Sequence, residues 1–418
     1  MPSTWLFRTA LAAAWIALAG AASPARGQES ASDSAAAGAE NSPSVEGMNE
    51  QLQTLLSDVD KLKRFKFSGY VQARWEHAEN QTDSVRVTGS PATLTPGNVE
   101  RFYIRRGRLK LTYDSSPLSQ AVVYVDGGAD RTVRLLEAYV ALLDPWTVDH
   151  RHQLWIGQMN VPFGYEIERS SSVRELPERS RAENVLFPGE RDRGAKLMLQ
   201  LHERLQATFG VFNGGGINDP DFPTGDPTKR KDWTARGRVS LGVADAAVSW
   251  YQGRGLVALT GPDVETDRTR LGFDAQTYWE LPVVGGGSLR GEWYLGSNAN
   301  ADSVRLLTAA PGPPSTGRVL VAGADPSHLA TDFSGGYVMW VQNFGDRLQA
   351  AARWEIFDPN TDRDHDQFER TSLGLNWFYD GNVRITAAYD IPRTDRSTSG
   401  GFEDPHDNLW TLQFQHKF

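Results

Sequence analysis

Residues 408–418 (NLWTLQFQHKF) constrain the fold of this 418-residue chain more than any other stretch. Trp410, Leu412, Phe414 and Phe418 share one parity, interrupted only by His416, while Thr411, Gln413, Gln415 and Lys417 take the other. Successive side chains of a strand point to opposite faces, so the segment predicts a strand with one apolar and one wet face. Two environments give that pattern: the half-buried edge of a soluble sheet, and a wall with lipid on one side and water on the other.

The rest of the chain repeats the pattern. Alternating segments run over 65–77, 100–113, 119–126, 133–144, 152–161, 193–202, 205–212, 232–241, 246–253, 267–280, 288–297, 334–344, 348–357, 368–379, 382–391 and 408–418. Many approach the ~9–11 residues that a tilted strand needs to cross a bilayer. Short connections at 114–117, 203–204, 242–245, 345–347 and 380–381 alternate with long ones at 78–99, 164–192, 213–231, 298–333 and 392–407. That rhythm predicts an all-β fold, a 16-stranded antiparallel transmembrane β-barrel over 65–418. Its turns would be short and periplasmic, its loops long and extracellular, and an even strand number follows from having both ends on one side. Mean hydropathy is -0.46, and past the amino terminus no run reaches the ~18 apolar residues of a spanning helix. A barrel escapes such averages because only alternate residues face lipid. The 13 tryptophans and 12 tyrosines suit its interfacial girdles.

The amino terminus predicts export. Arg8 precedes the Ala-rich apolar stretch 9–22, then small residues, so 1–25 reads as a cleaved signal peptide. Residues 26–47 read as a disordered linker rich in Ser, Ala and Gly. Val45, Met48, Leu52, Leu55, Val59 and Leu62 are spaced alternately by three and four, giving a short periplasmic helix over 48–64. Either a single amphipathic helix or a parallel coiled coil joining several barrels fits that seam.

Strand parity sorts charges between the two faces. In the first strand Phe65, Phe67, Val71 and Trp75 go outward while Lys66, Gln72, Arg74 and Glu76 go inward. Arg106, Arg108 and Lys110 go inward on the second strand and Lys196 on the sixth. Later strands add Arg236, Arg238, Arg270, Arg290, Arg353, Arg370 and Arg384, opposed by Glu76, Glu137, Asp274, Glu292, Glu355 and Asp390. The chain as a whole carries -9, so a cationic lumen would come from placement rather than bulk charge. Rows of Arg and Lys favour anions, and the planar guanidinium suits phosphate oxygens. The other reading is that basic and acidic rows satisfy one another and stiffen the wall. Arg105 and Arg106 are adjacent, so one should face lipid at a cost of ~2–4 kcal/mol at midplane. With Gly107 next, we expect a bulge that aims both inward.

These residues carry a resemblance to the phosphate-selective porin O and P family. It rests on Phe102–Arg108 (FYIRRGR), Ile156–Glu166 (IGQMNVPFGYE), and the loop with Glu178-Arg179 and Arg191-Asp192-Arg193-Gly194. The closing aromatic residue of the chain is also typical of outer-membrane barrels. The resemblance covers roughly 65–418 and implies a homotrimeric porin whose loop 164–192 folds into the barrel and narrows it. The pore and anion-binding residues it and the parity suggest are Arg74, Arg105, Arg106, Arg108, Lys110, Arg179, Arg191, Arg193, Lys196, Arg236 and Arg238. Two departures stand out. Asn160 sits where family members often carry a basic residue, and no lysine falls on the lumenal face of the late strands, Lys417 standing at the extreme end.

Other chemistry is sparse. Cysteine is absent, which removes disulfides and thiol catalysis. No nucleophile elbow, phosphate-binding Gly loop or dinucleotide fingerprint occurs. The run 358–366 (DPNTDRDHD) lacks the Gly and distal Glu of a calcium loop and reads as a solvated loop tip. His150 and His152 read as surface residues of a turn, and Gly285–Gly287 as a turn between strands. No enzyme activity, cofactor, metal or nucleic-acid partner is expected. The expected partners are small anions such as phosphate, outer-membrane lipid and lipopolysaccharide, and two further copies of the chain. Passive diffusion of small anions is the leading expectation, with a general or carbohydrate porin, or an adhesive barrel, as alternatives.

Overall fold

The structure, a computed structural model, describes residues 45–79, 100–128, 132–217, 230–257, 264–298, 330–362, 367–394, 396–398, 401–403 and 408–418. The expected signal segment, nearly all of the linker and residues 363–366 of the acidic run lie outside the described residues. Helix α1 (Val45–Lys63) leaves its apolar seam uncovered, with Leu52, Leu55 and Leu62 all more than half exposed. No described helix is long and apolar enough to cross a membrane.

The strands are β1 (Phe65–Ala78), β2 (Glu100–Ser116), β3 (Ser119–Asp126), β4 (Arg134–Leu143), β5 (Gln153–Asn160), β6 (Arg191–His202), β7 (Leu205–Phe212) and β8 (Asp232–Ser240). They continue as β9 (Ala244–Val257), β10 (Val264–Leu281), β11 (Gly285–Asn298), β12 (Thr331–Phe344), β13 (Leu348–Asp358), β14 (Phe368–Phe378) and β15 (Val383–Thr394). A separate hairpin, β16 (Arg396–Thr398) and β17 (Gly401–Glu403), precedes β18 (Leu409–Lys417). All but that hairpin form one closed antiparallel barrel of sixteen strands, each paired with the next and β18 with β1. Closure leaves no open edge, so every ladder group finds a partner within the wall. The sixteen expected strands are the sixteen observed; the small hairpin has no counterpart among them.

The first and last strands are joined by paired backbone bonds: Gly69 N–H donates to the Phe418 carbonyl at 2.9 Å, and Phe418 N–H returns to Gly69 at 3.1 Å. A Cβ at position 69 would lie 2.6 Å from the Phe418 ring, so only glycine leaves room for that aromatic side chain. Gly285–Gly287 correct the sequence reading: they begin β11, and the turn is 282–284. Trp279 opposes Gly287 and its indole occupies the space a Cβ would need. His150 and His152 are likewise half-buried rather than on the surface. His150 Nδ1 lies 2.6 Å from the Asp144 carbonyl, and the Asp144 carboxylate accepts the His152 amide at 2.7 Å.

The barrel is inside-out relative to a soluble domain. Outward Phe67, Phe209, Val248, Val338, Leu375 and Phe414 are all more than 40% exposed, while inward Gln72, Arg74, Ser249, Arg370 and Asn376 are at most 1% exposed. A belt of that extent and character requires apolar surroundings. Between β1 and β2 the register slips: Gln72 opposes Arg106, but Ala73 opposes Ile104. The extra residue of this bulge is Arg105 itself, so the expected bulge is present, two residues before Gly107.

Candidate functional site

The lumen is crossed by the segment between β5 and β6, residues 161–190, which carries the one-turn helix α2 (Tyr165–Glu168) and helix α3 (Arg181–Leu186). Asn160 begins it, its side-chain amide donating to the Ile167 carbonyl at 3.1 Å. Gly164 follows at φ 62, a left-handed conformation that favours glycine, and a Cβ there would meet the Glu292 carboxylate at 2.6 Å. That carboxylate accepts the Tyr165 and Glu166 amides, each at 2.8 Å, and the Tyr337 hydroxyl at 2.7 Å. Phe163 is fully buried, packed on Tyr294 and Phe187, and its ring fills the space opposite Gly272. Burial of Phe163, Ile167 and Leu186 contributes roughly 1.5–3 kcal/mol each toward holding the loop inward.

The loop also carries backbone carbonyls that must be satisfied away from bulk water. Wall side chains do this. Gln72 donates to Ser171, Gln415 to Ser172, Asn376 to Glu175, Arg353 to Glu178 and Arg370 to Arg179, at 2.8–3.2 Å. Several polar lumenal residues are therefore loop anchors. The inward fold expected of loop 164–192 is observed.

The arginine run of β2 converges on one loop carboxylate. Glu178 accepts Arg74 at 2.7 Å, Arg105 at 2.9 and 3.2 Å, and Arg106 at 3.5 Å. Burial pushes the Glu178 pKa up, but Arg105, Arg106 and Arg74 outweigh it and hold the carboxylate well below its usual range. Arg74 is further tied to Glu76 and Gln413. The bulge thus brings Arg105 and Arg106 to the same acceptor.

Other sequence-selected cations are paired as well. Arg108 meets Asp126 at 2.7 Å, Arg191 meets Glu137 and Glu190 at 3.2 Å, and Lys110 meets Glu137 at 3.5 Å. Arg179 is held by Glu190 and by Glu183 at 3.7 Å, Arg236 by Asp274, and Arg238 by Asp245 at 3.0 Å. Arg193 lies on β6 opposite Gln158. Sequence parity passed over Asp126 and Asp232, which the same alternation would have sent inward, and left Asp245 in the turn 242–245, whereas β9 begins at Ala244. The loop acids Glu166, Glu175, Glu178 and Glu183 had no periodic signal to place them.

Lys196 differs from these, as do Arg174 and Arg270, further buried cations that meet no carboxylate within ion-pair distance among the described residues. Lys196 is 7% exposed, yet among the described residues its ammonium meets no carboxylate within ion-pair distance. It donates to the Asn160 carbonyl at 3.3 Å and lies 4.4 Å from the centre of the Trp155 ring. Trp155 stacks on Tyr139, with ring centres 4.3 Å apart. Lys196 lines a cavity of about 530 Å3 between the loop and the wall, together with Lys110, Arg169, Arg191, Glu137 and Glu168. Lys417, at the extreme end of the chain, lines it too. Among the described residues no cluster of acids and histidines is arranged to hold a metal ion.

No family model matches this chain, and no curated protein matches it. Solved structures do. OmpT, an outer membrane protein of Vibrio cholerae in its trimer form, is 10% identical, with 85% of this chain and 99% of that chain covered at a TM-score of 0.53. The anion-selective porin from Comamonas acidovorans is 13% identical over 85% of this chain and 99% of its own, at 0.53. The outer membrane channel DcaP of Acinetobacter baumannii is 12% identical over 85% and 97%, at 0.55. At such identities the likeness establishes the barrel fold, not the solute.

Proposed function

We propose that the chain is an outer-membrane porin, exported through a cleaved signal peptide, that lets small anions diffuse passively past the inward loop. The observation that carries this is Lys196, a buried cation without a carboxylate partner, facing a cavity inside a closed barrel whose outer face is apolar. Low-dielectric walls focus the field of such a charge, and lysine donors replace part of an ion's hydration while remaining weak enough to release it. One structural neighbour is described as an anion-selective porin. Phosphate and related oxyanions are the solutes we propose, in keeping with the sequence resemblance, with the other sequence-selected cations lining or shaping the path. We further propose a homotrimer, with α1 contributing a short parallel coiled coil through Met48, Leu52, Leu55 and Leu62.

The second reading is a general diffusion porin. The ion pairing of Arg74, Arg105, Arg106, Arg108 and Arg236 favours it, because paired charges select weakly. The reversal potential of the purified protein in a planar bilayer under a KCl gradient separates the two. Anion selectivity with current reduced by added phosphate supports the first; absence of selectivity supports the second, and cation selectivity rejects the first outright.

A further inference from the structure

The cavity beneath the loop offers more than a small inorganic ion would use. Its volume of about 530 Å3 falls in the range of sites that enclose small organic molecules. Charge and apolar surface meet there: Lys196 and Lys110 on one side, Val161, Met198, Tyr139 and Phe418 around them. Lys196 is more than nine-tenths buried and bonded only to a neutral carbonyl and an aromatic face, and Glu168 and Glu137 act on its ammonium only from beyond ion-pair distance. Glu137 and Glu168 line the same space. Arg169 and Arg191 line it too but are already ion-paired, so the second charge of a compact dianion would meet those carboxylates, whereas a monoanion with a neutral body would not.

We propose that this cavity binds organic monoanions, with a carboxylate on Lys196 and a ring-sized apolar body against Val161, Met198 and Phe418. The proposal rests on the anion-porin reading above but not on its phosphate assignment, and names organic monoanions in place of phosphate as the preferred solute of that same path. The carboxylate gains a charge-assisted hydrogen bond, and the body removes apolar surface from water. Binding remains reversible because the two arginines on the lining, Arg169 and Arg191, are already ion-paired with Glu175 and Glu137 and do not clamp the anion.

The test uses the full-length protein in planar bilayers, with the KCl reversal potential recorded first and blocking anions then added. Benzoate is compared with acetate (same charge, no ring), benzamide (same ring, no charge) and inorganic phosphate. Benzoate should reduce the chloride current at a concentration about tenfold lower than any of the other three. Lys196→Gln should raise the half-blocking concentration of benzoate about tenfold, with Lys196→Arg largely restoring it. Should Lys196→Gln fail to fold into a heat-modifiable barrel, Lys110→Gln takes its place with the same, smaller shift expected. Equal block by benzoate and acetate, tighter block by phosphate, or block indifferent to both lysine substitutions overturns the proposal. Anion selectivity in KCl alongside any of those results leaves the porin reading standing, whereas cation selectivity removes both.

Discussion

Two cationic regions share the lumen and differ in what their charge is free to do. Around Glu178, three guanidinium groups from β1 and β2 close on one carboxylate of the loop. Around Lys196, an ammonium faces a cavity with no carboxylate within ion-pair distance among the described residues, Glu137 and Glu168 standing farther off on the same lining. The first region is denser in sequence and poorer in available charge. Its arginines fasten a loop. The isolated lysine, quieter in sequence, is the better candidate for meeting a solute. Density of like charge along a strand therefore signals a buried counter-ion as readily as it signals a field.

The strongest way to break this contrast is Glu178→Gln. It leaves Arg74, Arg105 and Arg106 buried without their shared acceptor, and removal of one partner from a buried ion cluster costs on the order of 3–5 kcal/mol. The loop should loosen, exposing Arg169, Arg174, Arg179 and Arg181 to trypsin, and the unfolding midpoint in denaturant should fall. The same variant should gain anion selectivity, because its arginines lose their neutralising partner. Wild-type resistance to trypsin would show that the cluster does not hold the loop.

The next effect concerns Glu183 in α3, which is 1% exposed and has neither carboxylate oxygen hydrogen-bonded. Burial pushes its pKa up to about 7, against the pull of Arg179. In the unfolded chain it ionises near the ordinary glutamate value of 4.5. Between those values the folded state keeps a proton that the unfolded chain has released, so stability falls as pH rises and the loss is complete above about 7. A shift of that size corresponds to about 3 kcal/mol, as an order of magnitude. Glu183→Gln should be more stable than the wild type at pH 8 and similar to it at pH 4, measured by thermal unfolding in detergent. Parallel pH profiles for the two proteins would mean that the loop pocket admits water to Glu183.

Much of this was legible in the chain. A strand writes its two faces at period two, so alternation alone sends Arg106, Arg290, Arg353 and Arg370 inward, and Leu109, Leu197 and Phe414 outward. The adjacency of Arg105 and Arg106 announced a bulge because lipid does not accept one of them. What could not be read was the partner. Glu178 is separated from Arg105 by 73 residues and lies in a segment with no period, so nothing local says that its carboxylate turns inward. Of the acids missing from the lumenal count, the loop carries some, such as Glu175 and Glu178, and the strands carry others in Asp126, Asp232 and Asp245. Lys196 was legible as lumenal and illegible as unpaired, for the same reason.

Selectivity gives a smaller, sharper comparison. Lys196→Gln should lower the anion-to-cation permeability ratio by about twofold with near wild-type stability, since no ion pair is broken. Arg106→Gln should do the reverse: lose a bond to Gln72 at 2.9 Å and a contact to Glu178, destabilise by about 1–3 kcal/mol, and leave the ratio almost unchanged. Reversal potentials and unfolding midpoints on the same preparations separate the two outcomes.

The smallest expected effect makes the contrast hardest to evade. Arg238 faces the lumen on β8, is 37% exposed at its side chain, and pairs with Asp245 at 3.0 Å. Asp245 has other donors, Gln276 at 3.0 Å, the Tyr278 hydroxyl at 2.9 Å and the Ser240 hydroxyl. Arg238→Gln therefore leaves no buried charge stranded and should cost under about 1 kcal/mol. Because its charge is already offset, selectivity should barely move. If Arg238→Gln instead shifts the reversal potential as far as Lys196→Gln, then facing the lumen is what matters. The distinction between paired and unpaired cations would then carry no weight in the selectivity proposed for this barrel.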